Sequence, residues 1–468
     1  GQPDVGGEET HPHGWGTLMI VGFRFGGGIS EVYPDPTDSS ESITMRPAYL
    51  IFDITDPEQA PKLLAEFTHE KLQSTLSIPG ALTVKNTSGG TDWYMAIGSG
   101  PSANANGKAQ GLSEQNAHLF MLNLKTMSLE SGFGVNGVMD LGEADSFVGD
   151  IVAFDHNLDV HTDAVYFGTS KAIDTQDIFG APGADGLVDD WEGKLFRLRV
   201  DAGTAAGSHS WKTNVVIDLE SPLMNRPQVS TDKNNNRWVH VGTGRFLTVD
   251  DTIDNDAYVL VGIKEPRQDN GSFDMDTYSH NDAGISLNDL VDVTDSEVLE
   301  KTGALNGSVT VSPALSSDNV ESLAFRMMQY SDSSKYVDGW KRTLDSGERA
   351  MGSATILGGV LTQTVYTPEL TSCSFIGDSS IFALRYTTGT AWLTHVFPDP
   401  NEDSDNDVVI DKLNIGVTPS LSPGVHLGES RSTGEATFIN LNSDMSMTIS
   451  KEQNLEGISS KETSWREL

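Results

Sequence analysis

Cysteine is almost missing from this chain: Cys373 is the only one among 468 residues. No internal disulfide can form, and the zinc motifs built on cysteine pairs are excluded. Basic residues are also scarce, 30 against 67 acidic side chains, for a formal charge of −37. Nothing here could neutralise a row of phosphates, so nucleic acid is excluded as a partner. Electrostatic docking on anionic lipid is disfavoured for the same reason. An uninterrupted apolar run of about 18 residues, the length a membrane span needs, does not occur. No signal peptide opens the sequence, and the first residues, GQPDVGGEETHPHGWG, read as the interior of a longer protein or as a matured product. His11 and His13 lack a third ligand nearby and read as a turn, not as a metal site.

What is abundant is carboxylate, and in one place it is ordered. Asp155, Asn157, Asp159, His161 and Asp163 fall on alternate residues of DHNLDVHTD, followed at once by the strand-like AVYFG. A hard cation such as calcium takes six to eight oxygens at about 2.3–2.6 Å, which a loop supplies from alternate positions. Here positions 1, 3, 5 and 9 carry side-chain oxygens, and His161 at position 7 would offer its backbone carbonyl. Val160 stands where an EF-hand loop has glycine, and Tyr166 where it has the bidentate glutamate. With no helix following, the expectation is a compact calcium loop feeding a β-strand. The plain alternative is an acidic surface turn. A second loop places Asp399, Asn401, Asp403, Asp405 and Asp407 on alternate residues. In so acidic a chain such an alignment also arises by chance, so a second calcium site stays open.

The apolar segments are short and alternating and are punctuated by Gly and Pro, which predicts an all-β fold. TLMIVGF, WYMAIGSG, AVYFGTS and WVHVGTG end strands on Gly22, Gly98, Gly168 and Gly242, at intervals of about 70–76 residues, of the kind a propeller shows. A second strand follows each: YLIFDIT, LFMLNLK, LFRLRV and YVLVGIK. IFALRY from Ile381 and TFINLN from Thr437 are two later copies. Period-2 alternation predicts half-buried strands, and units that bury apolar faces only against neighbours stack radially or as a solenoid. Between Pro266 and Trp340 the spacing of apolar residues turns helical, in SLNDLVDVTDSEVLEK and ESLAFRMMQYSDSSKYVDGW. The expected organisation is therefore propeller blades with the calcium loop over residues 1–265, an insertion with short helices over 266–340, and remaining blades over 341–468.

No nucleophile elbow and no metalloprotease helix appears, and FGGG at Phe25–Gly28 lacks phosphate-loop spacing. ALRYTTGTAW, Ala383 to Trp392, resembles the tryptophan-docking motif of quinoprotein dehydrogenases, with Arg385 where that motif has Asp. This keeps a quinoprotein-like (PQQ) oxidoreductase as the alternative function. A turn with a packing Trp is the simpler reading.

Taken in order, the segments resemble the C-terminal propeller of the PilY family, type IV pilus tip-associated adhesins and biogenesis factors. WGTLMIVGFRFGGG with AYLIFDITDP, the calcium loop with VYFG and KLFRLRV, and WVHVGTGRFL with YVLVGIKEP carry the likeness. GWKRTLDSGERA, TPELTSCSFIGDSS and the terminal SWREL complete it. The resemblance implies a modified propeller of the seven-bladed type, of which this chain carries about six strand-pair repeats. Family members have a further N-terminal region and early blades, so this chain is not expected to close the ring alone. It also implies calcium at Asp155, Asn157, Asp159, His161 and Asp163, and no enzymatic activity. The implied location is extracellular, at a pilus tip or cell surface (the fimbrium). The implied partners are minor pilins of the tip complex and a host or abiotic surface, with roles in pilus assembly, extension and retraction, and adhesion.

Overall fold

The computed structural model describes residues 16–26, 30–33, 40, 42–86, 88–102, 111–173, 190–201, 210–248, 250–265, 285–306, 309, 318–329, 337–369, 377–397, 408–416, 425–430, 435–441 and 447–452. The chain divides into two compact units, Gly1–Ala172 with Leu198–Thr213, and Ile173–Arg197 with Asn214–Leu468. Both are built of short antiparallel strands, as the sequence predicts. Among the described residues there is one α-helix, Val320–Met327, and no helix long and apolar enough to cross a membrane.

In the first unit, Leu18–Gly22, Tyr49–Asp53 and Lys62–Phe67 form one antiparallel sheet. Gly80–Lys85, Thr91–Gly98, His118–Asn123 and Val138–Asp140 form a second. Ser146–Phe154 and Ala164–Ala172 pair as a long hairpin, bulged between Val148 and Ile151. Tyr49, Ile51 and Phe67 of the first sheet pack on Met95, Ile97, Phe120 and Leu122 of the second. The predicted pairs TLMIVGF with YLIFDIT and WYMAIGSG with LFMLNLK are realised in register, Ile20 opposite Ile51 and Ile97 opposite Phe120.

In the second unit, Gln228–Thr231, Arg237–Gly242, Val259–Lys264 and Gly339–Thr343 run antiparallel, and Val291–Asp292 adds a parallel strand beside the last. A second sheet is made by Arg349–Ala350, Val360–Pro368, Gly377–Arg385 and Lys412–Gly416. Val425–Ser430, Glu435–Leu441 and Met447–Glu452 form a third. The two late copies read from sequence are thus strands, IFALR within Gly377–Arg385 and TFINL within Glu435–Leu441.

Two expectations change in detail. Not all strands are half-buried: Leu18–Gly22 and Lys62–Phe67 keep exposed positions, whereas Arg237–Gly242 and Val259–Lys264 are buried at every residue. Sheets stacked on both faces leave no solvent side, so polar residues on alternate positions must find partners inside. Arg237 does so with Arg197, the two guanidinium groups donating to the two oxygens of Glu265 at 3.0 Å each. Among the described residues of the 266–340 segment, the helical reading holds for ESLAFRM. Asn319 caps that helix, its side chain accepting from Glu321 N, and Val320, Leu323, Ala324 and Met327 face inward. SLNDLVDVTDSEVLEK instead makes one 3₁₀ turn, Leu287–Asp289, and short strands. There Asp292 accepts from Thr294 N, an Asx turn that competes with helix formation.

The glycines that end strands are points of close approach. A Cβ on Gly98 would lie 2.5 Å from Val148 Cβ, and one on Gly242 would lie 2.5 Å from Ala350 Cβ. Gly98→Ala is therefore expected to destabilise the protein by about 1–3 kcal/mol through overpacking. Gly132→Ala, whose Cβ would meet nothing closer than Glu130 Oε1 at 3.5 Å, serves as the neutral control. Thermal or urea melts of the two variants beside the parent check this, and equal midpoints for all three would contradict it.

A candidate cation-binding loop

The hairpin Ser146–Phe154/Ala164–Ala172 ends on the pair Phe154–Ala164, so Asp155–Asp163 is its closing loop. Asp163 N donates back to Phe154 O at 2.9 Å and closes the neck. All five residues singled out in the sequence lie on this one loop, in the first unit.

The side-chain oxygens fold inward onto the loop's own backbone. Asp155 accepts from Asp159 N at 3.3 Å and from Val160 N at 2.8 Å. Asn157 Oδ1 accepts from Asp159 N at 2.9 Å, and Asp159 Oδ1 from His161 N at 2.9 Å. Asp163 Oδ2 accepts from His156 N at 2.7 Å. This chain of side-chain-to-backbone bonds coils the loop, bringing Leu158 and Val160 to φ of 60° and 75°. Val160 thus adopts the left-handed conformation for which EF-hand loops use glycine at the same position. A β-branched residue does so only under strain.

The His161 N–H bond to its carboxylate is the main cause holding Asp159 below the ordinary carboxylate range. The His161 ring Nδ1 meets Asp159 Oδ1 at 3.2 Å, and its Nε2 meets Thr91 Oγ1 at 3.3 Å.

Neighbouring strands anchor the loop through residues that local sequence does not mark. Thr162 N donates to Thr83 O at 2.8 Å, Thr83 N donates to Thr162 Oγ1 at 3.1 Å, and Thr83 Oγ1 donates to the Val160 carbonyl. Thr83 is far from the loop in sequence and lies on the strand Gly80–Lys85. No spacing rule links the two.

The donor chemistry and the coiled backbone path fit a hard cation. The side chains as placed serve backbone N–H groups, and among the described residues no three His, Cys, Asp or Glu side chains gather round one point. Each carboxylate and amide oxygen keeps lone-pair capacity beyond these bonds. Asp155, Asn157, Asp159 and Asp163, with the His161 carbonyl, are the groups that would hold calcium.

Another acidic stretch, in the second unit, is organised around an internal cation. Arg349, fully buried, donates to the carbonyls of Arg245 at 3.0 Å, Asp251 at 2.6 Å and Asp254 at 2.8 Å. Arg245 Nε pairs with Asp251 Oδ1 at 2.8 Å, and Tyr258 OH donates to Asp254. The loop Asp155–Asp163 has no such guanidinium in it. The acidic residues 399–407, and His11 and His13, lie outside the described residues.

The segment Ala383–Trp392 is a strand end and turn. Trp340 docks on it, its indole Nε1 donating to Tyr386 O at 2.9 Å, with its ring over Gly389. Arg385 reaches Glu321 at 2.6 Å and lies 5.1 Å from the Trp392 ring.

No protein-family model matches this chain, and no curated protein does. Its fold is that of a β-propeller. The crystal structure of the C-terminal domain of Pseudomonas aeruginosa PilY1 matches with a TM-score of 0.51 at 14% identity, over 91% of this chain and 83% of that one. An α-L-arabinanase of Cellvibrio cellulosa covers 81% of this chain and 91% of its own at 8% identity and a TM-score of 0.25. The hemagglutinin-neuraminidase of parainfluenza virus 5 covers 89% and 86% at 8% identity and a TM-score of 0.29. The chain therefore shares the PilY1 propeller fold, while the last two likenesses are too slight to carry an argument.

Val160→Gly is expected to relieve the left-handed strain and raise stability by about 1 kcal/mol, the cost of such a backbone for a residue with a Cβ less the flexibility glycine adds to the unfolded chain. A melt of the variant against the parent measures it. A lowered midpoint would mean that the exposed Val160 side chain contributes more than its backbone costs.

Proposed function

We propose that this chain is a calcium-binding, non-enzymatic propeller of a type IV pilus tip-associated adhesin. In this reading it works outside the cell, at the pilus tip or cell surface. There it engages minor pilins and a host or abiotic surface, and it supports pilus assembly and the balance of extension against retraction. The division into blades over 1–265 and 341–468 with an insertion over 266–340 belongs to the same reading.

The observation that carries it is the pairing of the PilY1 C-terminal fold with an alternate-residue Asp/Asn loop at the end of a propeller hairpin. The mechanism follows from charge. Carboxylates crowded on one exposed loop repel each other, and a bound divalent cation replaces repulsion with coordination. Loop order, and the surface the loop presents, then depends on calcium, which is how a cation biases a two-state element. Magnesium is a poorer occupant, because it demands near-ideal octahedral geometry and dehydrates reluctantly.

Calorimetry with calcium and with magnesium, on the parent and on Asp155→Ala and Asp159→Ala, tests the metal reading. Calcium is expected to bind one site, magnesium far more weakly, and each substitution to cost at least tenfold in affinity, about 1.4 kcal/mol. Parent-like titration of both variants would overturn the site. The pilus reading is tested apart from this, by counting surface pili and measuring retraction-driven motility in cells lacking the protein. Fewer pili, restored by the parent chain, are expected, and unchanged piliation and motility would overturn it.

A further inference from the structure

In a chain with more than two acidic residues for each basic one, a lysine ammonium set on a neutral imidazole is unexpected. One lies in the first unit, away from the Asp155–Asp163 loop. His118, on the strand His118–Asn123, is 4% exposed and places Nδ1 2.6 Å from the Asn116 carbonyl. Nδ1 therefore carries the proton, and Nε2 is a bare acceptor. The Lys71 ammonium sits on that acceptor, 3.2 Å away. His69, one residue before Glu70, uses Nδ1 to accept from Lys71 N at 3.1 Å, which leaves its proton on Nε2. Its ring is fixed against Phe120, centroids 5.1 Å apart. Gln115 Nε2 holds the Lys71 carbonyl at 2.8 Å.

Lys71 forms no ion pair among the described residues, although its charge acts on Asp140. The acidic groups facing the cluster are Glu70 and Asp140. Asp140 stands 3.9 Å from His118 Nε2 and is itself engaged by Asn116 Nδ2 at 3.0 Å and Gly142 N at 2.9 Å. The partner chosen for Lys71 matters. A carboxylate in the place of His118 would cancel the ammonium charge. A neutral imidazole orients the ammonium and leaves its charge, and its two remaining N–H donors, for something else.

We propose that His69 and Lys71, with His118 as the positioning residue behind Lys71, form a binding site for a single carboxylate borne by an otherwise neutral ligand. Lys71 supplies a point charge with free donors, and His69 supplies Nε2–H. The single charge follows from the surroundings: with −37 overall, a polyanion meets repulsion at long range, whereas one carboxylate meets mainly the local cation. Burial first, and then the Lys71 charge, hold His118 below its ordinary value, so the imidazole stays neutral near neutral pH. This inference is independent of the calcium reading.

The test is a titration of the full chain, labelled at histidine, with sodium acetate, sodium chloride and sodium phosphate at low ionic strength, following the His69 and His118 imidazole resonances. N-acetylglycine against its amide, and galacturonate against galactose, identify the carrier that adds affinity. Acetate is expected to shift both rings saturably, and each acid to bind where its neutral counterpart does not. Lys71→Gln, at a half-buried position, is expected to weaken binding at least tenfold, and Lys71→Arg to retain it. Equal response to chloride, tighter binding of phosphate, or a Lys71→Gln titration matching the parent would each overturn the proposal.

Discussion

A net charge of −37 must be held in a compact chain, and the way carboxylates are kept from repelling one another shapes the rest of this structure. The commonest solution is local. Asp53, Asp56, Asp140, Asp159, Asp218, Asp232, Asp254 and Asp292 each accept from the backbone N–H two residues ahead, turning the chain as they do so. The second solution is internal. Arg197, Arg237, Arg245 and Arg349 are among the largest fully buried side chains, and each faces carboxylate or carbonyl oxygen inside the second unit. A buried carboxylate left without its guanidinium would carry the full cost of an unpaired charge, so these pairs fix geometry more than they add stability.

The same constraint separates three sites by the cation each has. Around Asp251 and Asp254 it is Arg349, covalently supplied and always charged. At Asp155–Asp163 the carboxylates turn to their own backbone, and the proposed cation comes from solution. At Lys71 the arrangement differs, with the ammonium set on a neutral imidazole and Asp140 3.9 Å from that ring. Glycine has a parallel role in packing. Where sheets lie face to face, Gly98 and Gly242 admit Val148 and Ala350 at distances no side chain would allow.

Much of this was legible in the sequence because the signals are local. Strand-sized alternation located the pairs Leu18–Gly22 with Tyr49–Asp53 and Arg237–Gly242 with Val259–Lys264, and the alternate-residue Asp/Asn spacing located a loop that does close a hairpin. What depended on distant partners was not legible. Thr83 holds the loop from another strand, and Trp340, not Trp392, is the indole that docks on the turn Tyr386–Gly389. Val360–Pro368 was missed because it carries no terminal glycine, although it pairs along the whole of Gly377–Arg385. The tautomers that set Lys71 on His118 follow from carbonyl and amide contacts that no spacing encodes.

On this account the fold is held by the burial of its own strands, and the proposed calcium adds order only locally. Burying one large apolar side chain is worth roughly 1.5–3 kcal/mol, and the cores of both units hold many, Ile51, Phe120, Leu260 and Phe382 among them. A single ion at a hundred times its dissociation constant adds about 2.7 kcal/mol. Hydrogen exchange with calcium and with chelator measures the difference directly. The account predicts that chelation removes protection in Asp155–Asp163 and the ends of its two flanking strands and nowhere else. Loss of protection throughout both units would show that the metal is a folding requirement and would contradict it.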